Sequence, residues 1–236
     1  MRPKGAVTAP SAPTPIICEP GAPEGDRALA IALARDLNSG LETLAMAWQS
    51  RLYAFALRMT GSAADAEELA QETLVRAWRA LADYDVERRR ALNIRPWLFQ
   101  IAVNLARNHA RSARRAGALS LDALDEPQQA NADGASGPVA LRITDDDPAV
   151  TPEARLDQRQ RLEWLANLLL ELPHAQRLAL TLRHVEGMSY PEIATAVGLP
   201  VGTVKSHASR GAEALRRAIL RDQAREAYRE ETEMAR

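Results

Sequence analysis

The chain has 236 residues, of which 46% are hydrophobic and only 4% aromatic, a composition that favours helices and allows one or two domains. Lys and Arg number 30 and Asp and Glu 31, so the formal net charge of −1 excludes a global attraction to DNA or anionic membranes. Cys18 is the single cysteine, which excludes internal disulfide bonds and a cysteine-rich zinc site. Any nucleic-acid binding must therefore come from local basic patches.

Residues 1–26 are rich in Pro, Ala and Gly, which predicts a disordered tail. Their prolines interrupt any apolar core of a signal peptide, and no apolar run approaches the roughly 18 residues that a membrane helix needs. The sequence therefore predicts a cytoplasmic protein. The fold class expected is all-α, with two small helical domains joined by a flexible acidic linker. The predicted segments after the tail are a first domain over 27–117, the linker over 118–152, a second domain over 153–222 and a charged C-terminal tail over 223–236.

The first distinctive helix is predicted over 65–81, DAEELAQETLVRAWRAL, after a break at Thr60-Gly61-Ser62. Its apolar stripe is expected to be core and consists of Ala70, Leu74, Ala77, Trp78 and Leu81. The opposite face carries mixed charge, with Glu72 and Arg76 spaced as an i, i+4 pair. Such a face suits a protein partner, although on these residues alone a merely solvated face is the better explanation.

A basic segment follows, because eight arginines and no acidic residue lie between Arg88 and Arg115. Within it, PWLFQIAVNLARNHARSARR predicts a helix that begins near Pro96. Its outer stripe combines an exposed tryptophan, amides and guanidinium groups, which together provide base stacking, base-edge hydrogen bonds and phosphate contacts. That stripe consists of Trp97, Gln100, Asn104, Arg107, Asn108, Arg111 and Arg115. The alternative places Trp97 in the core and leaves the arginines solvated. The preceding stretch from Tyr84 to Arg95 is expected to be a loop able to hold an unstacked base.

The segment SYPEIATAVGLPVGTVKSHASRGAEAL predicts a helix-turn-helix. Ser189 and Glu192 form a capping-box pattern, and Gly198 ends the first helix. In this motif the start of the second helix meets base edges, so Thr203, Lys205 and Ser206 are expected to contact bases. Arg210 is expected to contact a phosphate. An ordinary helical hairpin with a solvated polar face remains open as an alternative.

Three segments, taken in order, resemble a bacterial sigma-70 superfamily factor of the extracytoplasmic-function group. They are DAEELAQETLVRAWRAL, the helix from Pro96, and LPHAQRLALTLRHVEGMSYPEIATAVGLPVGTVKSHASRGAEAL. The resemblance covers about residues 40–117 and 153–220 and implies a region 2-like and a region 4-like domain. It implies three partners, namely core RNA polymerase, promoter DNA and an anti-sigma factor. The polymerase would be bound at the clamp coiled coil of its largest subunit and at the flap of its second largest subunit. It implies no cofactor, no metal, and no membrane contact except through an anti-sigma factor.

The resemblance also implies three sets of site residues. The polymerase-binding set is Asp65, Glu68, Gln71, Glu72 and Arg76. The set for the melted −10 promoter element is Trp97, Gln100, Asn104, Arg107, Asn108, Arg111, Arg115 and Tyr84. The set for the −35 duplex is Gly202, Thr203, Lys205, Ser206, His207 and Arg210.

Spacing explains why a partner is needed. Two DNA elements two or three helical turns apart lie roughly 70–100 Å from each other, whereas a flexible linker of about 35 residues holds its ends on average about 30–35 Å apart. A scaffold must therefore hold the two domains apart. The function expected is promoter recognition together with core polymerase. No enzymatic activity is expected, because the four histidines are scattered and form no paired metal or catalytic pattern. The alternatives are a sigma-like decoy that sequesters an anti-sigma factor and a stand-alone helix-turn-helix regulator.

Overall fold

A computed structural model of the protein describes residues 24–120 and 152–234 and, within them, the side chains of residues 25–112 and 160–225. Most of the predicted N-terminal tail and of the predicted acidic linker lies outside the described residues, as do residues 235 and 236. The regular elements in the described ranges are helices, which confirms the predicted all-α fold with two helical units separated by a linker.

The N-terminal unit begins at Glu24, three residues before the predicted start of the domain. Its second and third helices are separated by the predicted break, where Gly61 adopts the left-handed conformation with φ of 74° and its N–H donates to the carbonyl of Leu57. Ser62 then caps the next helix by accepting from the N–H of Asp65. The helices are α1 (Glu24–Arg35), α2 (Leu37–Thr60), α3 (Ala63–Asp83), α4 (Val86–Arg90) and α5 (Ile94–Ser120).

Aromatic side chains from α2 and α5 form the centre of this unit. The ring of Phe99 lies edge-on to Phe55 at 5.1 Å and to Trp48 at 6.0 Å between centroids. All three are buried, with exposures of 3% or less. Edge-to-face pairs add to the free energy gained by burying the rings, so they fix α5 against α2.

The C-terminal unit contains α6 (Pro152–Leu170), α7 (His174–Leu180), α8 (Tyr190–Val197) and α9 (Val201–Met234). A π-helical turn over Thr181–Val185 continues α7 and leads into the segment before α8. α7 packs along α9, while Leu169, Leu172 and Leu180 form a small core of their own.

The two units lie in contact, which the sequence does not predict. α8 packs against α5, and apolar residues of both units form one continuous buried cluster. Ile193 and Val197 of α8 are 0% and 5% exposed and belong to the same cluster as Leu98 and Phe99 of α5. The described arrangement is therefore closed, with the C-terminal unit placed over one side of α5.

Candidate nucleic-acid interface

The outer face of α5 presents the polar stripe that the sequence predicts, but only in part. Asn104, Asn108 and Arg111 are exposed and lie at i, i+4 and i+7, on one side of the helix. The opposite side of the helix, including Ala102 and Ala106, is buried in the core. The exposed stripe therefore offers two amides and one guanidinium group to a ligand. The side chain of Arg115 lies outside the described residues.

Trp97 and Tyr84 lie in the core, so the expectation of an exposed tryptophan is wrong. Trp97 is 0% and Tyr84 3% exposed, and their ring centroids are 6.2 Å apart in a tilted arrangement. Trp97 lies in the first turn of α5, where Pro96 and Leu98 on either side of it are buried as well. Gln100 is half-buried and its Oε1 is enclosed. Base stacking on Trp97 would require the core to open.

Arg107 is half-buried between the two units. Its Nη1 donates a hydrogen bond of 2.7 Å to the carbonyl of Val197, at the C-terminal end of α8. A cation suits the partial negative charge at a helix C-terminus. Burial lowers the pKa of Arg107 from its usual value. In this arrangement Arg107 therefore binds the protein itself.

The stretch from Tyr84 to Arg95 is not an open loop, because it contains α4. Asp85 caps this short helix by accepting from the N–H of Arg88 at 2.7 Å. The guanidinium of Arg89 donates one hydrogen bond of 2.9 Å to the carbonyl of Tyr84 and another of 3.1 Å to the carbonyl of Leu33 on α1. The guanidinium of Arg88 lies 3.9 Å from the centre of the Tyr84 ring. These contacts anchor the segment, so the expectation of a loop is wrong, while its ability to hold an unstacked base stays a prediction.

The helix-turn-helix forms as the sequence predicts. Ser189 accepts from the N–H of Glu192, and the Glu192 carboxylate accepts from the N–H of Ser189 at 2.8 Å, which completes the capping box. Gly198 ends α8 with φ of 67°. Val204 and Ala208 hold α9 in the core at 2% and 3% exposure. The buried side of α9 thus fixes which of its residues face outward.

The start of α9 displays a polar surface. Gly202 and Lys205 are exposed, while Thr203, Ser206 and His207 are half-buried. Arg210 is exposed one turn further on and donates to the hydroxyl of Ser206 at 2.8 Å. The Lys205 ammonium lies 5.8 Å from the centre of the Tyr190 ring, which links α9 to α8. All six residues predicted for this surface are thus at least partly accessible.

The charged face of α3 lies on the surface of the N-terminal unit. Arg76 Nε and Glu72 Oε1 are 2.7 Å apart, which confirms the i, i+4 pair. Asp65 lies 3.4 Å from His109 of α5, and Glu68 and Gln71 are exposed. This face can therefore be reached by a partner.

Trp78 is on the surface, so its assignment to the core is wrong. It is 53% exposed, whereas Ala77 beside it is 0% exposed. Small buried side chains such as Ala70 and Ala77 bring α3 close to its neighbours, and the bulky ring at the edge of the stripe stays outside. Trp78 lies two turns after Gln71, at the border of the charged face. The ring is therefore accessible to a partner, which the sequence pattern does not indicate.

Neither metal binding nor membrane insertion has support in the described ranges. No group of three or more His, Cys, Asp or Glu residues there is arranged to hold a metal ion. No helix in the same ranges is both long and apolar enough to cross a membrane.

Comparisons with known proteins identify both units. The family model for sigma-70 region 2 matches residues 44–116, and the model for sigma-70 region 4 matches residues 162–215. The chain is 31% identical over 197 residues to the RNA polymerase sigma-H factor of Pseudomonas aeruginosa, covering 83% of this chain and 94% of the relative. It is 29% identical over 177 residues to the ECF RNA polymerase sigma factor SigW of Bacillus subtilis, covering 73% and 84%. The structure of CnrH in complex with the cytosolic domain of CnrY matches with a TM-score of 0.53 and 26% identity, covering 84% of this chain and 99% of that chain.

Proposed function

Because the chain belongs to the sigma-70 family of RNA polymerase sigma factors, in its extracytoplasmic-function group, we propose that three separate surfaces divide the work of promoter selection. The protein is a sigma factor, which binds core RNA polymerase and directs promoter recognition and transcription initiation. Sigma factors are non-catalytic initiation factors. We extend this to the whole of the present chain and place its action in the cytoplasm, where the polymerase works.

The surface proposed for the −10 element is the exposed stripe of α5. Amide side chains such as Asn104 and Asn108 can both donate to and accept from the edges of unpaired bases, and Arg111 supplies a cation for the backbone. We include Arg107 in the DNA-bound state only, since its guanidinium is bonded to α8 in the closed arrangement. The exposure of Asn104 and Asn108 on one face is the observation that carries this assignment.

The surface proposed for the −35 element is the start of α9. Lys205 and Ser206 are placed to meet base edges in a major groove, and Arg210 is placed one turn later, where a phosphate would lie. Gly202 lets the backbone of the helix start approach the DNA closely, because no side chain projects there. His207 contributes a half-buried ring to the same surface.

The surface proposed for core polymerase is the charged face of α3 with Trp78 added. Interfaces gain most of their binding free energy from a few large side chains surrounded by polar contacts. Trp78 has the size and exposure of such an anchor, and Glu68, Gln71 and the Glu72–Arg76 pair form the polar surroundings. The corresponding binding site on the polymerase is the clamp coiled coil, as the sequence resemblance implies.

We also propose that an anti-sigma factor regulates the chain. The structure of CnrH, which matches 84% of the present chain, was solved in complex with the cytosolic domain of CnrY. A comparable regulator is the simplest candidate for a protein partner besides polymerase. A decoy that only sequesters such a regulator would not need the exposed stripe of α5, so the promoter-binding function is favoured.

The test is run-off transcription with purified bacterial core polymerase, the purified chain and a library of genomic fragments. We expect discrete transcripts that require the chain, and their start sites define the promoter. Absence of any transcript, together with tight binding of the chain alone to duplex operators, would instead support a stand-alone regulator.

A further inference from the structure

A groove in the C-terminal unit lies apart from the three surfaces proposed for promoter selection. It runs between α6, the π-helical turn and α9 and has a volume of about 420 Å³. Pockets that bind small molecules have volumes of roughly 300–1,000 Å³ and are lined mainly by apolar side chains. The lining of this groove is mostly aliphatic and includes Leu165, Leu169, Leu180, Leu215, Ile219 and Leu220. The groove therefore has the size and the lining of a site for a small apolar ligand.

Part of this apolar lining is accessible to solvent. Leu220 is 59% and Val185 47% exposed. Leu165, Leu215 and Ile219 are half-buried. Covering exposed aliphatic surface is favourable, and the gain grows with each methylene group that a ligand buries there. Because the lining is open to solvent, a ligand can enter without any unfolding of the C-terminal unit.

The wall of the groove also contains a hydroxyl group without a partner. Thr181 begins the π-helical turn and is 1% exposed, and its Oγ1 makes no hydrogen bond. Thr60, Thr73 and Thr195, in contrast, each donate to the carbonyl four residues earlier in their helices. A buried hydroxyl without a partner is unfavourable. Threonine populates two side-chain rotamers in a helix, so rotation about χ1 can turn this hydroxyl toward an oxygen atom of a ligand.

The charges beside the groove favour an anionic head group. Arg216 and His184 line the groove and are exposed, and neither has an ion pair or hydrogen bond within the described part of the chain. Arg217, the next residue of α9, is in contrast paired with Glu213 at 3.9 Å. None of the described side chains that line the groove is a carboxylate. An unpaired guanidinium beside an apolar surface is complementary to a carboxylate on a hydrocarbon chain.

We propose that this groove binds a linear amphiphile with an anionic head group, of the class of medium-chain fatty acids. The hydrocarbon chain lies against the leucines, while the carboxylate pairs with Arg216 and accepts a hydrogen bond from Thr181. Binding at this groove requires neither core polymerase nor DNA, so it can be tested apart from the proposed function.

The experiment is isothermal titration calorimetry of the full chain with decanoate, below the concentration at which decanoate forms micelles. We expect saturable binding of a single decanoate per chain. Octanoate is shorter by two methylene groups and should bind roughly fifteenfold more weakly, at about fourfold for each buried methylene. Decyltrimethylammonium has a tail of similar length but a cationic head group, so it should bind several-fold more weakly than decanoate.

Two tryptophan substitutions show whether decanoate lies in the groove. Ala212 is exposed and lines the groove, so Ala212→Trp should fill it and abolish saturable binding. Ala47→Trp is the matched control, because Ala47 is exposed on α2 in the other unit, and it should bind decanoate like the parent chain. Circular dichroism should show equal helix content in the parent chain and both variants.

Three further variants test the contacts of the head group. Arg216→Gln should weaken decanoate binding about threefold without weakening decyltrimethylammonium binding, as expected for a solvent-accessible ion pair. Arg217→Gln makes the same charge change one position away, outside the groove lining, and should have no effect. Thr181→Val keeps the shape of the side chain but removes the hydroxyl, so decanoate affinity should fall about fivefold while the free energy of unfolding does not fall.

The absence of saturable decanoate binding to the parent chain would overturn the proposal and leave the groove to a protein partner. Undiminished binding to Ala212→Trp would also overturn it, as would binding of many decanoate molecules with loss of helix content, because decanoate would then act elsewhere or as a denaturant. Unchanged affinity in Thr181→Val, or an equal loss in Arg216→Gln and Arg217→Gln, would overturn the placement of the head group. Failure of the chain to support transcription would instead contradict the proposed function, since these titrations contain neither polymerase nor DNA.

Discussion

Replacement of Trp78 by alanine should weaken the binding of core polymerase while the domain stays folded. The side chain is 53% exposed at the border of the charged face of α3. A tryptophan offers up to about 250 Å², so about 130 Å² is available for burial, worth about 3 kcal/mol at about 25 cal/mol per Å². The dissociation constant for polymerase should therefore rise about a hundredfold. The free energy of unfolding should fall less than for an enclosed tryptophan, because the fold covers only about half of this ring.

The assay is titration of a fluorescently labelled chain with core polymerase, read as anisotropy, with urea unfolding of each variant in parallel. Met46→Ala is the control for loss of an exposed apolar side chain, since Met46 is 84% exposed on α2. Trp97→Ala should behave in the opposite way and cost about 3–5 kcal/mol of stability, because that ring is fully enclosed. Unchanged polymerase affinity in Trp78→Ala, or an equal loss in Met46→Ala, would refute the assignment of Trp78 to the interface.

Three further outcomes are expected. Asn104→Ala combined with Asn108→Ala should abolish open-complex formation, measured by permanganate reactivity of the promoter, while polymerase binding is retained; equal loss of both would show that the domain unfolds. Lys205→Ala and Ser206→Ala should each weaken binding to some −35 sequences more than to others, measured against a panel of duplexes, and a uniform loss would reassign them to phosphate contact. Gly198→Ala should lower the free energy of unfolding by about 1 kcal/mol, because alanine is strained at φ of 67° even though no atom lies close enough to clash. An unchanged melting temperature would contradict this.

The parts of the fold that depend on local chemistry could be predicted from the sequence. The break between α2 and α3 at Gly61 and the capping box of Ser189 and Glu192 are examples, since each depends on residues within one turn. The continuous helix of α5 and the exposure of Asn104 and Asn108 follow from the spacing of apolar residues. Such signals lie within a short segment, so one sequence is sufficient to recognise them.

The parts that depend on distant packing could not be predicted. Trp78 and Trp97 exchange the roles expected of them because a helical pattern shows which residues share a face but not how far neighbouring helices cover that face. The contact of Glu186 with Arg51 joins residues 135 positions apart. Nothing in either segment alone indicates the other. The closed arrangement and the commitment of Arg107 to α8 became evident only from the structure.

The unequal surroundings of the tryptophans give the protein its own spectroscopic reporter. The chain contains four tryptophans, of which Trp48 and Trp97 are enclosed and Trp164 donates a hydrogen bond to Asp222. Biosynthetic incorporation of 5-fluorotryptophan would give each ring its own ¹⁹F resonance. The resonance of Trp78 would be the most sensitive to exchange of H₂O for D₂O. Docking of that ring could then be followed by NMR in unlabelled polymerase, without attaching any dye to the chain.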